Sequence, residues 1–394
     1  MIEPLILRNV RSVAGESLDL HIKDGRVQAP EEFRDRPART IDCEGALVLP
    51  GMVEAHTHLD KNFLGLPWVP NDAGPARAQK IWRERELKRR LNLDAGVQAE
   101  RQIRHCISLG TTHIRSHIDV DDQVGTRSIE QVLEVKAAWS DRVDVELVAF
   151  PQSGCLVLPG TLEMMARAME LGADVVGGID PASIDRDPRA HLDAIFGLAD
   201  RYGRPVDIHL HEPGELGAFC LELIIERVLA HSMQGRCVVS HCYCLGMLAA
   251  DRTQELCKSL AAAGISIMTT GPAGRPAPPL IHLRAAGVEV CSGTDGIRGA
   301  FEPFGSGDML QRASALAEKN GFYRDEDLAF AFSLCSNAGA RALGHNEHGI
   351  QPGQMADLVL VDAETLGEAI IDQPPRKLVV KRGRIVAENG RMVE

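Results

Sequence analysis

The sequence feature that most constrains the fold is an alternation, over residues 48–320, of short β-branched segments with longer amphipathic segments. The amphipathic segments place apolar residues at the i, i+3 and i+4 spacing of a helix, as at Leu162, Met165 and Ala166. Strand-like segments that each precede a helix are typical of a parallel barrel, so we predict an α/β fold built on a (β/α)8 TIM barrel. The predicted strands are 46–59, 113–120, 143–151, 174–180, 206–212, 237–244, 265–270 and 288–295.

The two ends of the chain resemble each other and lie outside the predicted barrel. Ile22–Val27 and Val380–Ile385 each place a glycine between two apolar, β-prone segments, which is a hairpin pattern. A single barrel takes about 250 residues, whereas the chain has 394. We therefore predict a small discontinuous β-sandwich-like domain formed by residues 1–50 and 346–394, and a barrel with additional helix over residues 51–345.

The composition excludes several classes of partner. The chain has 43 basic and 55 acidic residues, a formal net charge of -12 and no cluster of Lys and Arg, so nucleic acid and anionic membranes are poor partners. The amino terminus lacks a basic segment followed by an apolar stretch, and no apolar run approaches the roughly 18 residues of a membrane span. We predict a soluble, cytoplasmic protein that acts on a small molecule. No sequence feature decides whether it forms a homo-oligomer.

The cysteines indicate packing rather than cross-linking. Ten cysteines are too few for a disulfide scaffold in a chain of 394 residues, and most of them lie in apolar segments. Cys242 and Cys244 lie beside His241, but no second cysteine pair follows at the spacing of a structural zinc site. We therefore predict that the cysteines are reduced core residues.

Histidines and one aspartate mark the ends of the predicted strands where a barrel carries its functional residues. The βα loops gather at the carboxyl ends of barrel strands, and side chains two residues apart on a strand point to the same side. Several imidazoles and a carboxylate could therefore converge on one metal ion. The spacing leaves open which histidine of strand five is a ligand. The candidates are His56 and His58 on strand one, His209 and His211 on strand five, His241 on strand six and Asp295 on strand eight.

Other polar residues follow the same strand ends. His117 and Asp119 on strand two fit either a catalytic or a structural role, and Gln152 follows strand three. No lysine lies in or beside strand four, so a carbamylated lysine bridging two metals has no source, and we expect one metal ion. Glu212 directly follows His211. A metal lowers the pKa of bound water to about 7, and a nearby carboxylate can then carry the proton to a leaving group.

The motifs resemble those of the amidohydrolase superfamily over nearly the whole chain. Within it, the sequence is most similar to the cytosine deaminase-like group, which also includes the N-isopropylammelide amidohydrolases of triazine breakdown. The segment before the carboxyl terminus resembles the return of the superfamily's chain into its small β-domain. The segments that carry the resemblance are Leu49–Lys61, His113–Val120, Val148–Gly154, Val239–His241, Pro303–Met309 and Gly349–Leu360.

The resemblance implies a role for each matching residue. It implies that one divalent ion, zinc or iron, is held by four residues: His56, His58, His209 and Asp295. His241 would orient and polarise the attacking hydroxide, and Glu212 would protonate the ring nitrogen beside the attacked carbon. Asp295 would also accept the proton of the attacking water and help to expel ammonia. Gln152 would bind an amide edge of the substrate. On these grounds His209, and not His211, is the ligand of strand five.

Two departures from the family pattern affect the choice of substrate. Cytosine deaminases carry a second Asp after the metal-binding Asp, and this chain has Gly296 there. A pocket Trp of that family corresponds to Phe301, so cytosine itself is disfavoured. The triazine enzymes resemble this chain around Asp60 and Lys61 but lack a carboxylate equivalent to Glu212. The presence of Glu212 favours deamination of a ring that needs protonation at nitrogen.

We therefore predict a metal-dependent aminohydrolase that releases ammonia from a small N-heterocycle, such as a pyrimidine, a triazine, a pterin or a related lactam. Trp68, Phe301 and the segment 271–279 are the predicted substrate contacts. The alternatives are a hydantoin-type cyclic amide hydrolase, an N-dealkylating triazine amidohydrolase and, outside catalysis, a binding scaffold. A scaffold is disfavoured because the ligand set is complete. The roles of His211, His117, Asp119 and Lys61 remain open between function and structure.

Overall fold

The amino-terminal part of the chain forms strands that do not belong to the barrel. The computed structural model describes residues 3–33 and 37–393. Residues 1, 2, 34–36 and 394 of the predicted small domain therefore lie outside the described residues. A short 3-10 turn covers Pro30–Phe33. The strands are β1 (Leu5–Arg11), β2 (Ser17–Lys23), β3 (Arg26–Gln28), β4 (Arg39–Asp42) and β5 (Leu47–Pro50).

The middle of the chain alternates strands with helices, as predicted. The elements in order are β6 (Met52–Thr57), α1 (Arg77–Arg90), α2 (Ala95–Ser108), β7 (Thr111–Asp119), α3 (Arg127–Ala138), β8 (Asp144–Phe150), α4 (Thr161–Leu171), β9 (Val175–Ile179), α5 (Pro188–Tyr202), β10 (Val206–Leu210), α6 (Gly214–Ala230), β11 (Cys237–His241), α7 (Ala250–Ala262), β12 (Ile265–Met268), α8 (Leu280–Ala286) and β13 (Val290–Cys291). Strands β6 to β13 form one parallel sheet in sequence order.

The first and last strands of this sheet meet and close the barrel. Thr57 pairs with Asp295 in a parallel bridge, and the Asp295 N–H donates to the His56 carbonyl over 2.8 Å. The Ala55 N–H donates to the Ser292 carbonyl over 3.1 Å. Strand β10 is buried on both faces, as a parallel sheet covered by helices requires. The prediction of a (β/α)8 barrel is confirmed.

The carboxyl-terminal part adds helices and then returns to the amino-terminal strands. Its elements are α9 (Met309–Asn320), α10 (Asp325–Leu334), α11 (Asn337–Ala342), β14 (His348–Gly349), β15 (Met355–Ala356), β16 (Leu358–Val361), α12 (Leu366–Asp372), β17 (Arg376–Lys381), β18 (Arg384–Glu388) and β19 (Arg391–Met392). Strands β14 to β19 share an eleven-stranded sheet with β1 to β5, in which β5 pairs with β16. Both termini therefore form one separate β-sheet, as predicted, whereas the boundaries 1–50 and 346–394 stay a prediction.

The predicted first strand is wrong in one respect. Residues 46–59 were expected to form one strand, but they form β5 in the terminal sheet and β6 in the barrel, separated at Gly51. A β-carbon at Gly51 would lie 2.3 Å from Thr112 Oγ1, so only glycine allows the chain to pass between the two sheets there. The last strand is also shorter than predicted, since it covers only Val290–Cys291, and Asp295 beyond it keeps a single bridge to Thr57.

The cysteines pack in the core as reduced residues, as the sequence predicts. All ten cysteines are buried and free of disulfides. Across the described ranges, each helix is too short or too polar to cross a bilayer.

A buried ion cluster joins the terminal sheet to the barrel, near the amino-terminal ends of β7 and β8. The Lys381 ammonium, at the end of β17, is fully buried and donates to Asp144 and Asp357, each over 2.7 Å. His113 on β7 approaches the Asp144 carboxylate at 3.2 Å. Although burial alone would raise it, the contacts from His113 and Lys381 hold the pKa of Asp144 well below its usual value. Asp144 is therefore ionised, and the Lys381 ammonium supplies positive charge to this cluster.

We expect Lys381→Met to lower the free energy of unfolding by about 3–5 kcal/mol, because the buried Asp357 loses its ammonium partner, whereas Asp144 keeps its contact with Arg382. Lys377→Met is the matched control, since Lys377 lies on the same strand but pairs with the exposed Glu44. That exposed pair contributes only about 0–1 kcal/mol. Urea unfolding of both variants measures the difference. Equal losses in the two variants would show that the buried cluster does not join the two sheets.

Candidate active site

A large cavity opens at the carboxyl ends of the barrel strands, where the predicted site residues were expected. Its volume is about 1250 Å³. The wall includes residues from the segment 271–275 and from the loop that follows β13. The predicted site residues that line it are His58, Gln152, His209, Asp295 and Phe301.

The histidines of three strands meet at the floor of this cavity, where His209 lines the wall and His56 and His241 are fully buried outside the lining. The ring of His56 lies 4.6 Å from that of His209 and 5.0 Å from that of His241, measured between centroids. One ring nitrogen from each of these histidines and one oxygen of Asp295 lie within 4.8 Å of one another. His58 Nε2 lies 3.2 Å from Asp295 Oδ1. The structure thus brings His56, His209, His241 and Asp295 together, and His58 contacts this cluster through Asp295.

Five ring nitrogens of this cluster have no hydrogen-bond partner among the described residues. His56 Nε2 and both ring nitrogens of His209 and His241 are buried without a hydrogen bond among the described residues. Buried polar atoms are rarely left unpartnered, and neutral imidazoles with one carboxylate are the ligands that zinc and iron accept. The donor set therefore fits a divalent metal ion. By geometry the converging donor set includes His241 and not His58, whereas the family resemblance names His58 as the ligand.

Neighbouring groups fix the orientation of the two strand-one histidines. His56 Nδ1 lies 3.1 Å from Ser240 Oγ, and His58 Nδ1 lies 3.2 Å from the His117 carbonyl. Each contact leaves the Nε2 atom directed at Asp295. Such outer contacts set the tautomer of metal-binding histidines. The backbone carbonyl of His117 therefore orients His58, which is a predicted ligand.

The cluster carries the charge states that metal binding requires. Burial lowers the pKa of His209 and His241 well below the usual value, so both rings are neutral. Although burial alone would raise it, the contacts with the His56 and His58 rings hold the pKa of Asp295 well below its usual value. Neutral imidazoles and an ionised carboxylate are the metal-binding forms of these groups.

The backbone is strained at two of these residues. His241 and Asp295 have φ values of 74° and 63°, which non-glycine residues rarely adopt. Strain of this kind persists where the surrounding structure fixes it, and it is concentrated at functional sites. This backbone conformation directs the side chains of His241 and Asp295 into the same cluster, although β11 and β13, which they end and follow, are not adjacent in the barrel.

His211 faces the cavity but is held by a carboxylate. Its Nδ1 lies 3.0 Å from the Asp180 carboxylate, which also pairs with Arg77. Its ring stacks on that of His241, with centroids 4.2 Å apart and an interplanar angle of 20°. His211 therefore supports His241, and one of its two nitrogens is already occupied.

Glu212 is buried directly beyond His211 and is not among the side chains that line the cavity. Its Oε1 accepts the N–H groups of Ala182 and Ser183, each over 3.0 Å, and its Oε2 has no partner among the described residues. Burial, followed by the charge of Asp180, raises the pKa of Glu212 to about 7. The carboxyl group can therefore hold or release a proton near neutral pH.

A buried charge network next to the floor was not predicted. The Lys61 ammonium donates to Glu84 over 3.1 Å, to Asp119 over 3.0 Å and to the Gln152 amide oxygen over 2.9 Å. Lys88 donates to the other oxygen of Asp119 over 2.8 Å. Lys61, Glu84 and Gln152 all line the cavity. The Gln152 amide oxygen is thus fixed, which leaves its NH2 group as the donor for a ligand.

The two aromatic residues predicted to contact substrate differ in position. Phe301 lines the cavity, and its ring centroid lies 5.9 Å from the Lys61 ammonium. Trp68 is 64% exposed, packs over Arg298 with 5.9 Å between the guanidinium carbon and the ring centroid, and is not part of the cavity wall. Its loop is rich in proline, so sequence spacing did not fix its direction.

Known proteins resemble this chain over its full length. It is 33% identical over 400 residues to N-isopropylammelide isopropyl amidohydrolase of Pseudomonas sp. (strain ADP), covering 98% of this chain and 97% of that protein. The crystal structure of N-isopropylammelide isopropylaminohydrolase from Burkholderia multivorans superimposes with a TM-score of 0.96 and 43% identity, covering 100% of both chains. That of 5-methylcytosine deaminase from Klebsiella pneumoniae superimposes with a TM-score of 0.85 and 28% identity, covering 99% and 98%.

A family model agrees with these similarities. The model described as the amidohydrolase family matches residues 97–387, which include β7 to β13 of the barrel and most of the returning strands. The histidine and aspartate cluster lies at the strand ends of this same barrel. This chain is therefore a member of the amidohydrolase family, whose enzymes hydrolyse carbon–nitrogen bonds.

Proposed function

We propose that this enzyme hydrolyses the bond between a small N-heterocycle and its exocyclic nitrogen, releasing that nitrogen as ammonia. The observation that carries the proposal is the convergence of His56, His209, His241 and Asp295 within 4.8 Å at the floor of one cavity. The similarity to enzymes named for a triazine amine and for 5-methylcytosine supports a ring substrate.

The metal centre is part of the proposal. We propose that His56, His58, His209 and Asp295 hold one divalent ion, zinc or iron, in each chain. When bound, such an ion polarises the substrate and lowers the pKa of water so that it attacks at neutral pH. Both metals accept imidazole and carboxylate ligands, so the residues do not select between them.

The side chains around the floor have separate tasks in this proposal. His241 hydrogen-bonds the attacking water and orients it toward the ring carbon. Asp295, ionised and adjacent to both strand-one histidines, accepts a proton from that water and delivers it to the leaving nitrogen. Glu212, with a pKa near 7, supplies the proton that the ring nitrogen gains.

The polar wall would hold the ring itself. The NH2 group of Gln152 is a donor that matches a carbonyl oxygen of a lactam ring, whereas the three donors of Lys61 are already used by Glu84, Asp119 and Gln152. The ring of Phe301 offers an apolar surface on the same wall. Donors beside an aromatic surface favour a planar, oxygenated heterocycle over a purely apolar ligand.

A second leaving group is favoured by the overall similarity. The 43% identity and TM-score of 0.96 to an isopropylaminohydrolase favour release of a small alkylamine. The chemistry is the same in both cases, because the bond from the ring carbon to the exocyclic nitrogen breaks and the nitrogen leaves protonated. The two candidates differ only in the substituent on that nitrogen.

Paired substrates distinguish these candidates. Metal-loaded enzyme is incubated with ammelide, N-isopropylammelide, 5-methylcytosine and hydantoin, and the released ammonia, isopropylamine and ring-opened acid are quantified by mass spectrometry. Ammonia from an amino-substituted ring supports the first candidate, and isopropylamine supports the second. Ring opening of hydantoin without amine release would contradict the proposal and support a cyclic amide hydrolase.

A further inference from the structure

Three cations line one side of the active-site cavity. Arg77 and Lys80 lie three residues apart on α1, and Arg275 lies in the segment between β12 and α8. We call these three residues the cationic wall. The chain as a whole carries a formal net charge of -12, so positive charge is concentrated here against the overall balance.

Carboxylates pair with two of the three residues of the cationic wall and leave the charge of the third without a described partner. Arg77 pairs with Asp180, and Arg275 pairs with Glu302. Lys80 donates to the Phe301 carbonyl over 2.9 Å. No described carboxylate lies within 4.0 Å of the Lys80 ammonium, in contrast to Lys61 and Lys88 in the same part of the cavity. One positive charge on this wall therefore has no partner of opposite charge.

The three charges are close enough to act on one another. Burial lowers the pKa of Lys80, and Arg275 and Arg77 lower it further, whereas Glu302 and Asp295 raise it. The wall is therefore within electrostatic reach of the carboxylate at the cavity floor. Like charges held together are unfavourable unless an opposite charge joins them. An anion beside Lys80 would relieve this repulsion.

The size of the cavity leaves room for such an anion. Its volume of about 1250 Å³ exceeds the roughly 300–1000 Å³ of common ligand pockets, and a single small ring over the histidines would fill only part of it. The cationic wall lines the same cavity as His58, His209 and Asp295. One ligand can therefore contact both.

We propose that the cationic wall binds an anionic substituent, of the carboxylate class, on the heterocycle whose ring lies over the histidine cluster. This inference rests on the proposed function, since it assigns the substrate a charged group at a position away from the reacting carbon. Lys80 is the determinant of this specificity. Arg77 and Arg275 are already paired with Asp180 and Glu302, so Lys80 carries the charge that the substituent would meet.

The competing explanation is that Lys80 only fixes the loop after β13 through the Phe301 carbonyl. The test therefore compares the affinity for a charged ligand with the affinity for its matched neutral ligand. The probes are two matched pairs, cytosine with cytosine-5-carboxylate and N-isopropylammelide with N-carboxymethylammelide. For each pair we would measure KM and kcat where turnover occurs and the dissociation constant by calorimetry where it does not, in metal-loaded enzyme.

The proposal predicts that the charged member of at least one pair binds about 10- to 100-fold more tightly, the usual range for one hydrogen bond to a charged group. Lys80→Gln keeps a donor for the Phe301 carbonyl but should reduce this ratio to within about twofold of one. Lys80→Arg keeps the charge and should retain the ratio. Lys258→Gln makes the same change of charge at the exposed surface and is the control. High salt should weaken the preference.

Each other result overturns one of the two proposals. Equal binding of charged and neutral members, or a ratio unaffected by Lys80→Gln, would overturn the anionic subsite, because a loop-fixing lysine affects both members alike. A clear preference for the carboxylates without hydrolysis of any ring would leave the subsite standing and count against the proposed function. Failure of both carboxylates to bind would overturn the subsite.

Discussion

Asp295→Asn is expected to abolish metal binding and to lower turnover by at least about 10⁴-fold. The Asp295 carboxylate lies 3.2 Å from His58 and 3.5 Å from His56, so it supplies the negative charge among the floor imidazoles. Asparagine tolerates the left-handed φ of 63° at this position, so the fold should be retained. The loss would then report the missing charge rather than a distorted loop.

Metal content by inductively coupled plasma mass spectrometry and turnover, measured on the same preparation, check this expectation. His231→Asn is the control, because His231 pairs with Asp200 at the surface and should leave both quantities unchanged. An Asp295→Asn protein that retains a full complement of metal and wild-type turnover would contradict the assignment of Asp295 as a ligand.

Glu212→Gln is expected to keep the metal and lose about 10²- to 10⁴-fold in turnover, the usual contribution of a positioned acid or base. The glutamine side-chain oxygen can still accept the N–H groups of Ala182 and Ser183, so the loop should stay in place. What the variant lacks is a proton that titrates near neutral pH. Full activity would remove Glu212 from the mechanism, and its position outside the cavity wall makes this a decisive test.

The pH dependence gives a second measure of the same residue. Because the pKa of Glu212 is raised to about 7, the protonated form is present below that pH and is lost as the pH rises through it. Wild-type turnover that needs this proton should therefore fall above about pH 7, and Glu212→Gln should lack that limb. The contribution of Glu212 to stability follows the same direction. It is fully present below the ordinary carboxyl pKa of 4.5 and is lost as the pH rises through about 7.

The barrel and most of its site could be predicted because their signals are local. Strand and helix periods identify the (β/α)8 order, and the placement of His56 and His58 at a strand end follows from the alternation of side chains. That strand ends meet at one face of a barrel was enough to group the candidate floor residues, but the choice of His209 over His211 came only from the family resemblance. His211 was placed on this face as well, but its contact with Asp180 depends on a loop conformation that periodicity does not encode.

Other features depend on tertiary contacts that no local pattern reveals. Helix α1 is so rich in charge that its sequence resembles a solvated helix, yet it buries Glu84 against Lys61. The break at Gly51 follows from a close approach to Thr112, a residue far along the chain. The direction of Trp68 depends on how a loop packs over Arg298. In each case the deciding neighbour is distant in sequence.

The central claim is that one divalent ion, held by the floor histidines and Asp295, enables this cavity to hydrolyse a carbon–nitrogen bond. The most direct test removes metal by chelation and follows amine release from the best substrate as Zn²⁺ or Fe²⁺ is added back in measured equivalents. We expect no turnover in the metal-free enzyme and a linear rise that stops at one equivalent of metal per chain. Turnover without metal, or a rise that continues to two equivalents, would contradict the central claim.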